Sequence, residues 1–369
     1  MKKLTFIDLF CGIGGIRQGM TDAGFQCVFS CDSDKDCQKT YFENFIDMPY
    51  GDIKEIDIKD IPDFDVLCAG FPCQPFSISG RMKGFEDTRG TLFFEICRII
   101  KEKQPKAVML ENVKHLVHHD NGKTLEVIIQ SLQDLGYNVI WRILNAKDFG
   151  VPQNRERIII VATQDTTPFN FDALPVSPCT SMRPFLDREG DFEYLDPKDY
   201  TLLEKTHITQ SGLIFAGYRN KALRKVGVKE GTEHLSRVHK QPNRIYSAAG
   251  LHPTLPAQEA SGRFFILDDD GNVRKLTMNE CYRFMGFPQS FIRVGSMATQ
   301  YKQIGNSVCV PMISAVAELL YEYLGGDDLP SETNIGNTRS CVWTTARGAE
   351  NEEKFKRHKK SRSRKGASN

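Results

Sequence analysis

The sequence predicts an α/β fold in which a mainly parallel, doubly wound sheet is joined to a second, smaller domain. Up to about residue 163, short apolar, β-rich runs alternate with helical periodicities, the pattern of repeated strand–helix units. Between about residues 166 and 187 the pattern gives way to Pro, Thr, Ser and Asp, and four prolines there break any helix. With 369 residues, 40% of them hydrophobic, the chain is long enough for one sizeable core and a smaller unit.

The elements of the first domain follow from local patterning. The predicted strands are short apolar runs bounded by turn residues: 4–9, 26–30, 65–69, 107–110, 139–144 and 157–162. The predicted helices have apolar residues at helical spacing: 35–45, 91–103 and 122–135. Strands joined by right-handed crossovers form an open sheet with helices on both faces.

The domain boundaries are predicted from changes in composition along the chain. Residues 1–185 form the catalytic and cofactor-binding domain, and residues 186–275, rich in basic, aromatic and turn residues, form a second lobe. Helical periodicity over 278–285 and 310–323 predicts that residues 276–325 act as a hinge and return to the first domain. Residues 326–369 end in a basic block that is expected to be disordered.

Charge, cysteine spacing and hydropathy restrict the binding partners, metal sites and cellular location that we expect. The net charge is +1, so nucleic-acid binding would depend on local groups of Lys and Arg. The 11 cysteines lack zinc-ligand spacing, which predicts no metal site and a reducing cytoplasm. No apolar stretch is expected to reach the roughly 18–20 residues that span a bilayer, and no leader segment is expected. We therefore expect a soluble, cytoplasmic protein without membrane contact.

A Gly-rich turn after the first strand predicts a nucleoside site. Gly12, Gly14 and Gly15 open a helix, at the place where α/β sheets bind extended ligands. Against the dinucleotide pattern GxGxxG, Arg17 occupies the third Gly position, so a ligand without a pyrophosphate fits better. The alternative is that the glycines only turn the chain.

Two acidic residues suit the hydroxyl and amino groups of an adenosine. Asp32 follows the Gly turn at about 20 residues, the spacing of a carboxylate that binds ribose hydroxyls. Asp52, beside the apolar Ile53, suits an adenine amino group and ring face. The alternative for Asp32 is a helix cap.

Cys73 lies in a loop framed by Gly and Pro, just beyond a buried strand. Most cysteines are inert core residues, but this one is not part of a periodic apolar face. The surrounding residues closely resemble the Pro-Cys motif of the C5-cytosine DNA methyltransferase family, here written Gly70-Phe71-Pro72-Cys73-Gln74-Pro75-Phe76-Ser77. In this motif the sequence resembles the bacterial restriction-modification enzymes of that family.

The family's other motifs appear in order between residues 6 and 317. They match here as Asp8–Gly15, Glu111-Asn112-Val113, Gln153-Asn154-Arg155-Glu156-Arg157 and Tyr301-Lys302-Gln303-Ile304-Gly305-Asn306-Ser307-Val308. The resemblance covers nearly the whole globular chain. It implies an S-adenosylmethionine-dependent methyltransferase fold, Rossmann-like, with a target-recognition domain over residues 186–275.

The resemblance also implies a mechanism. Cys73 would add to carbon 6 of a cytosine, while Glu111, protonated or sharing a proton with ring nitrogen 3, stabilises the charge that develops on the ring. Arg155 would donate to the cytosine carbonyl oxygen, and Arg157, two residues along the same strand face, would support the site or its phosphate. As isolated residues, Glu111 could instead be a helix cap and the arginines surface ion-pair partners.

The resemblance implies which residues bind S-adenosylmethionine and DNA. The expected cofactor-binding residues are Phe10, Gly12, Gly14, Gly15, Asp32, Asp52, Ile53, Pro72, Leu92, Asn306 and Val308. The expected DNA-binding residues are Ser79, Arg237, Gln241, Arg244 and Thr254. Ser79 and Gln241 would fill the space left by the extruded base, and Thr254 would contact its phosphate. Family members often carry a bulky apolar residue where this chain has Ser33, so adenine packing is expected to be looser.

The expected partners are double-stranded DNA, bound by a monomer, and a cognate restriction endonuclease whose cutting the methyl mark blocks. The sequence raises three alternative functions. A tRNA cytosine-5 methyltransferase shares the motifs, although residues 76–80 and the long second lobe favour DNA. A catalytically silent DNA-binding regulator could retain the fold, and a NAD-dependent dehydrogenase is disfavoured by Arg17.

Overall fold

The computed structural model describes residues 3–72, 92–221, 223, 226–257 and 264–326. The catalytic half is built on a six-stranded sheet with strand order β2-β1-β3-β4-β7-β5. Its strands are β1 (Thr5–Leu9), β2 (Gln26–Cys31), β3 (Val66–Gly70), β4 (Ala107–Val113), β5 (Asn138–Asn145) and β7 (Glu156–Thr163). The short strand β6 (Gln153–Asn154) lies outside this sheet and pairs with β11 (His252–Pro253).

Parallel pairing joins β1 to both β2 and β3, and β3 to β4. Strand β7 is inserted between β4 and β5 and runs antiparallel to both. The predicted fold class, a mainly parallel α/β sheet of the methyltransferase type, is confirmed. The strands of this sheet also begin and end within a few residues of the predicted bounds, the largest difference being at β4, which extends three residues further.

Helices cover both faces of the sheet. The helices of this half are α1 (Gly15–Asp22), α2 (Lys35–Phe45), α3 (Leu92–Lys103), α4 (Lys123–Asp134) and, from the C-terminal part, α7 (Val310–Tyr323). Alternate residues of β1 enter opposite layers: Phe6 packs with residues of α1 and α7, whereas Ile7 and Leu9 pack with α3 and α4. This period-two alternation is what a doubly wound sheet requires.

The close approach of α1 and α7 depends on Gly19. A Cβ atom at this position would lie 2.7 Å from the Ile313 side chain. The two helices therefore pack with almost no side-chain layer between them at this point. Their contact fixes the start of α1, where the Gly-rich turn ends, against the C-terminal segment of the chain.

The second lobe contains a five-stranded sheet with order β13-β12-β10-β9-β8. Its strands are β8 (Tyr200–Ile208), β9 (Ile214–Arg219), β10 (Arg244–Ser247), β12 (Phe265–Leu267) and β13 (Val273–Lys275). All neighbours are antiparallel except β10 and β12, which are parallel. Sequence patterning did not predict these strands, several of which are only three or four residues long.

After the second sheet the chain returns to the first through α5 (Met278–Arg283) and α6 (Met297–Asn306) before α7. Thr277 and Glu280 form a capping box at the start of α5. Buried residues of α5 and α6 pack with Tyr246 and Ile266 of the second sheet. The C-terminal helices thus join the two sheets.

One expectation about hydropathy was wrong. Within the described residues, the stretch Met297–Tyr323 is long and apolar enough in composition to cross a membrane. However, 67% of its most apolar window is buried inside the protein. The stretch is also two helices, α6 and α7, separated by residues 307–309, and α7 forms the central helix of one core layer. Its apolar character is explained by the core.

Asp8 is a fully buried acid in the middle of β1. Neither carboxyl oxygen makes a well-formed hydrogen bond to the described residues, and the hydroxyl of the neighbouring Ser30 is likewise unpaired. Burial raises the pKa of Asp8 to about 8, against the opposing charge of Arg17. Asp8 is therefore protonated in the folded protein at neutral pH.

We predict that replacing Asp8 by Asn flattens the pH dependence of folding stability. Because the folded-state pKa is raised from 3.8 to about 8, the stability due to the protonated acid is fully present below the lower value. It is lost as pH rises toward the upper value, by at most about 1.4 kcal/mol per pH unit. Urea unfolding at acidic, neutral and mildly alkaline pH measures this slope.

The control for this prediction is Asp134→Asn, the same change at an exposed acid at the end of α4. That variant should keep the pH slope of the unmodified protein. Equal slopes for Asp8→Asn and the unmodified protein would show that Asp8 does not hold a proton in the folded state.

Candidate active site

The Gly-rich turn lies at the C-terminal edge of β1 in a left-handed conformation that favours glycine. Gly12 and Gly14 have φ values of 53° and 88°, and Phe10 before them is also left-handed, with φ 56°. A Cβ atom on Gly12 would meet none of the described residues within 4 Å, so they leave this face of the turn open. At Gly14 a Cβ atom would lie 2.2 Å from the Phe45 ring, which closes the other side.

Asp32 and the turn are directly connected. One carboxylate oxygen of Asp32 accepts a hydrogen bond from the Gly12 amide at 2.8 Å, and the other accepts from the Asp34 amide at 2.8 Å. Burial raises the pKa of Asp32, partly offset by these amide donors. The Asp32 carboxylate is thus oriented by backbone beside the open face of Gly12.

Asp52 and Ile53 reach the same edge by backbone pairing. The Tyr50 carbonyl accepts from the Asp32 amide at 3.1 Å, and Tyr50 forms a parallel bridge with Cys31 at the end of β2. Ile53 is buried. The carbonyl oxygen of Ile53 accepts from Arg98 on α3, the helix that begins at Leu92.

The C-terminal segment completes this edge. The Ser307 and Val308 side chains lie against Gly15, where a Cβ atom would be 2.6 Å and 2.8 Å from them. Asn306, between them and the body of α6, is exposed. The structure therefore brings most of the predicted cofactor residues together at the ends of β1 and β2; Pro72, exposed at the end of the described β3 segment, follows the adjacent strand.

These residues fit a nucleoside rather than a dinucleotide. An open glycine face, two carboxylates and the adjoining apolar residues offer hydrogen bonds to hydroxyl and amino groups and contact to a flat ring. Arg17, in the position where a dinucleotide site needs glycine, is turned away and donates to Tyr41 and Asp47 at 3.1 Å.

Glu111 and Arg157 form a buried ion pair next to the end of β3. Glu111 pairs in register with Gly70, and a Cβ atom on Gly70 would lie 3.7 Å from a Glu111 carboxylate oxygen. Arg157 Nε lies 3.0 Å from the other carboxylate oxygen. Burial raises the pKa of Glu111, opposed by the charges of Arg157 and Arg155. Gly70 is three residues before Cys73, which lies outside the described residues, as does Ser79.

Asn112 holds the end of the described segment that precedes Cys73. Its side-chain amide donates to the Phe71 carbonyl at 2.8 Å, and its side-chain oxygen accepts from the Val113 amide at 2.8 Å. Both partners of the Phe71 bond are buried. Sequence reasoning did not assign Asn112 a role; the available signal was a polar residue at the end of an otherwise apolar strand.

Arg155 does not share the surroundings of Arg157. It lies between β6 and β7, where the regular alternation of a strand is interrupted. Its guanidinium donates to the carbonyls of Leu255, Gly305 and Ser307 at 3.1, 2.9 and 2.6 Å. Arg155 is 1% exposed, whereas the Arg157 side chain is 12% exposed.

The predicted DNA-binding residues fall in two places. Arg237 is exposed, while Gln241 and Arg244 lie together at the start of β10, with an Arg244 Nη1 to Gln241 Oε1 distance of 2.6 Å. Thr254 lies after β11 and donates to the Asn154 carbonyl at 2.8 Å. Thr254 is thus adjacent to the Arg155 contacts, and the other three belong to the second sheet and the loop before it.

Comparison with known proteins places these features in one family. The sequence model of the family described as C-5 cytosine-specific DNA methylase matches residues 4–322. The chain is 41% identical to Type II methyltransferase M.HhaI of Haemophilus parahaemolyticus over 326 residues, covering 86% of this chain and 94% of that protein. It is 42% identical to M.HpaII of Haemophilus parainfluenzae over 332 residues, covering 88% and 91%.

Solved structures agree on the fold. The S. pombe Dnmt2 methyltransferase superimposes with a TM-score of 0.63 at 20% identity, covering 88% of this chain and 99% of that one. The Entamoeba histolytica methyltransferase EhMeth gives a TM-score of 0.62 at 19% identity, with the same coverage. Together with the family match over most of its length, these findings show that the chain belongs to the C-5 cytosine-specific DNA methylase family and is a DNA cytosine-5 methyltransferase.

Proposed function

We propose that this enzyme transfers a methyl group from S-adenosylmethionine to carbon 5 of a cytosine that has been extruded from a specific duplex sequence. The observation that carries the proposal is the buried Glu111–Arg157 pair, which lies against Gly70 three residues before Cys73. This arrangement sets an acid and a cation beside the end of β3, three residues before the Cys73 thiol of the Gly70–Ser77 motif.

Cys73 is the proposed nucleophile. Cytosine carbon 5 reacts poorly until a nucleophile adds at carbon 6, so the Cys73 thiolate forms a carbon–sulfur bond there and the ring electrons move toward carbon 5. Glu111 supplies or shares a proton at ring nitrogen 3, which neutralises the charge that develops on the ring. Its raised pKa favours the protonated form needed for this step.

We propose that Arg157, rather than Arg155, donates to the cytosine carbonyl oxygen. Arg157 orients the Glu111 carboxyl through its Nε and is partly accessible, so it can reach a base that Glu111 also contacts. Arg155 is buried, and its guanidinium is bonded to three carbonyl groups. This proposal differs from the sequence-based prediction, which assigned the contact with the cytosine carbonyl oxygen to Arg155.

The cofactor residues have distinct proposed tasks. When bound, S-adenosylmethionine would supply an electrophilic methyl group to carbon 5 and would leave as S-adenosylhomocysteine. Asp32 accepts hydrogen bonds from the ribose hydroxyls, and Asp52 accepts one from the adenine amino group. Phe10, Ile53 and Leu92 cover the ring, while the open face of Gly12 admits the ligand close to the backbone. Loss of the carbon-5 proton to a base, with water as a candidate, then lets Cys73 leave carbon 6.

DNA binding is proposed to use both parts of the molecule. Arg237, Gln241 and Arg244 approach the duplex from the second sheet, and Ser79 and Gln241 occupy the space that the target base leaves. Thr254 contacts the phosphate of the target nucleotide. The hydrogen bond between Gln241 and Arg244 supports a shared position for them at the DNA surface.

A role in restriction-modification is proposed from the relatives, whose names describe Type II methyltransferases. In this role the methyl mark protects DNA from a cognate endonuclease. A monomer in the cytoplasm suits such an enzyme, because one active site modifies one cytosine at a time. Residues 186–275 are proposed as the target-recognition domain.

The decisive experiment is bisulfite sequencing of DNA from a cytosine-methylation-free host that expresses the protein. We expect one short sequence to be methylated at carbon 5 throughout the genome. A parallel assay with purified protein compares duplex DNA with tRNA. Methylation of tRNA without methylation of DNA would contradict the proposed substrate and would favour the tRNA alternative.

A covalent trap tests the nucleophile. Duplex DNA with 5-fluorocytosine at the target should become irreversibly linked to the protein in the presence of S-adenosylmethionine, because fluorine at carbon 5 blocks the final proton loss. The adduct is measured as a shifted band on a denaturing gel. Cys73→Ser should abolish it, and Cys179→Ser, a control at a partly buried cysteine of the interdomain segment, should not. An adduct that persists without Cys73 would refute the mechanism.

We predict that Glu111→Gln lowers kcat by about 100- to 10,000-fold, the usual contribution of general acid–base catalysis. The amide is similar in shape but cannot deliver the proton, and it removes the carboxylate that pairs with Arg157. Steady-state methyl transfer at saturating cofactor measures kcat. Glu156→Gln, the same change at the neighbouring exposed acid paired with Lys114, should retain activity within a few-fold. Equal kcat values for the two variants would contradict the role of Glu111.

A further inference from the structure

The buried guanidinium of Arg155 lies at a junction of three chain segments that are far apart in the sequence. It donates hydrogen bonds to the carbonyl of Leu255, 100 residues away, and to the carbonyls of Gly305 and Ser307, 150 and 152 residues away. Leu255 follows Thr254, the proposed phosphate contact, and Asn306 is a proposed cofactor contact. The segment 254–257, called the target loop below, therefore meets the turn 305–308, called the cofactor turn below, at one side chain.

On the target side, residues 153–155 hold the loop through several bonds. Gln153 Oε1 accepts from the Leu255 amide at 2.9 Å, and the Asn154 carbonyl accepts from the Thr254 hydroxyl at 2.8 Å. Strand pairing aligns His252 with Gln153. The target loop is thus fixed to the segment that carries Arg155 rather than to the second sheet alone.

On the cofactor side, the same guanidinium donates hydrogen bonds to carbonyl groups at the end of α6. The Gly305 carbonyl and the carbonyl of Ser307, the C-cap of the helix, both accept from Arg155 Nη2. A cation at a helix C-terminus is stabilised by the helix dipole. The Ser307 and Val308 side chains then contact Gly15 at the start of α1, which places the cofactor turn directly against the glycine turn.

The target loop and the cofactor turn also pack directly against each other, so that neither can shift without the other. A Cβ atom on Gly305 would lie 2.2 Å from the Pro256 carbonyl oxygen and 2.6 Å from Ala257 Cα. Within the part of the chain that the structure describes, Arg155 has no carboxylate at ion-pair distance. The positive charge of Arg155 is therefore stabilised by hydrogen bonds to carbonyl groups. A movement of either segment changes the geometry of these hydrogen bonds and so the stability of the buried charge.

We propose that Arg155 is a positioning residue that couples the two binding sites: it holds the target loop and the cofactor turn in one arrangement, so that binding at either site strengthens binding at the other. This inference rests on the proposed cofactor and DNA sites. Coupling of this kind is reciprocal, because the cofactor must tighten DNA binding by the same factor as DNA tightens cofactor binding.

The experiment compares Arg155→Lys with the unmodified enzyme. Lysine keeps the charge but has a single terminal nitrogen, which cannot reproduce the planar fork that reaches three carbonyls. Calorimetry measures the Kd of S-adenosylhomocysteine with and without a duplex that carries the methylated sequence found by bisulfite sequencing. We expect the duplex to tighten binding by about tenfold or more in the unmodified enzyme and by less than about threefold in the variant. Each ligand alone should bind both proteins with similar Kd.

Two controls separate coupling from stability. Arg142→Lys makes the same change at an arginine of β5 that pairs with Asp172 on the surface. Ile128→Val removes a methyl group from the core under α4 and lowers stability away from the junction and from the Gly-rich turn. Both should retain the full coupling factor. Loss of coupling in Ile128→Val to the same extent as in Arg155→Lys would overturn the proposal, because reduced stability alone would then explain it.

Hydrogen exchange on the unmodified enzyme tests the proposal without a variant, in case Arg155→Lys does not fold. S-adenosylhomocysteine alone, without DNA, should slow exchange in residues 251–257 as well as in 301–309. Protection confined to 301–309, or equal duplex effects in Arg155→Lys and the unmodified enzyme, would overturn the coupling. Absence of any S-adenosylhomocysteine binding by the unmodified enzyme would instead refute the proposed cofactor site.

Discussion

Parallel pairing of β1, β2, β3 and β4 is the constraint on which the candidate site depends, since it ends all four strands at one edge of the sheet. The Gly turn follows β1, Asp32 follows β2, and the Pro-Cys segment follows β3. Glu111 lies in β4, directly in register with Gly70 of β3. Residues that are up to about 100 positions apart in the chain therefore meet because of backbone hydrogen bonds alone. The side chains then only have to be of the right type.

Three sites of buried charge in this half of the molecule are stabilised in different ways. Glu111 and Arg157 are paired, so each is stabilised by the other while the acid keeps a raised pKa suited to proton transfer. Arg155 is met by carbonyl groups, and burial lowers its pKa to about 9. Among the described residues Asp8 has neither kind of partner, and its carboxyl is neutral instead, with a pKa of about 8. The chemistry of the site thus depends on which buried groups receive a partner.

The sequence predicts the first sheet well and the second hardly at all. Apolar runs of four to six residues, separated by helices, predicted strands close to those observed, because burial on both faces imposes a continuous apolar pattern. In the second lobe, β12 and β13 have three residues each, and β10 pairs in parallel with β12 across a long connection. Such pairing depends on contacts distant in the chain, and short strands carry too little periodicity to reveal it.

The motifs identify which residues matter, but their spacing does not fix what each contacts. Arg155 and Arg157 are two positions apart, as two residues on one strand face would be, yet the chain changes strand between them. One arginine consequently enters the junction beside Leu255 and the other reaches Glu111. A five-residue segment can thus serve both the assembly of the two sheets and the chemistry of the reaction, because the break between β6 and β7 turns its side chains to different surroundings. The same break accounts for the assignment of the two proposed roles to separate residues: a side chain that donates to three carbonyls is not free to contact the base of the proposed reaction.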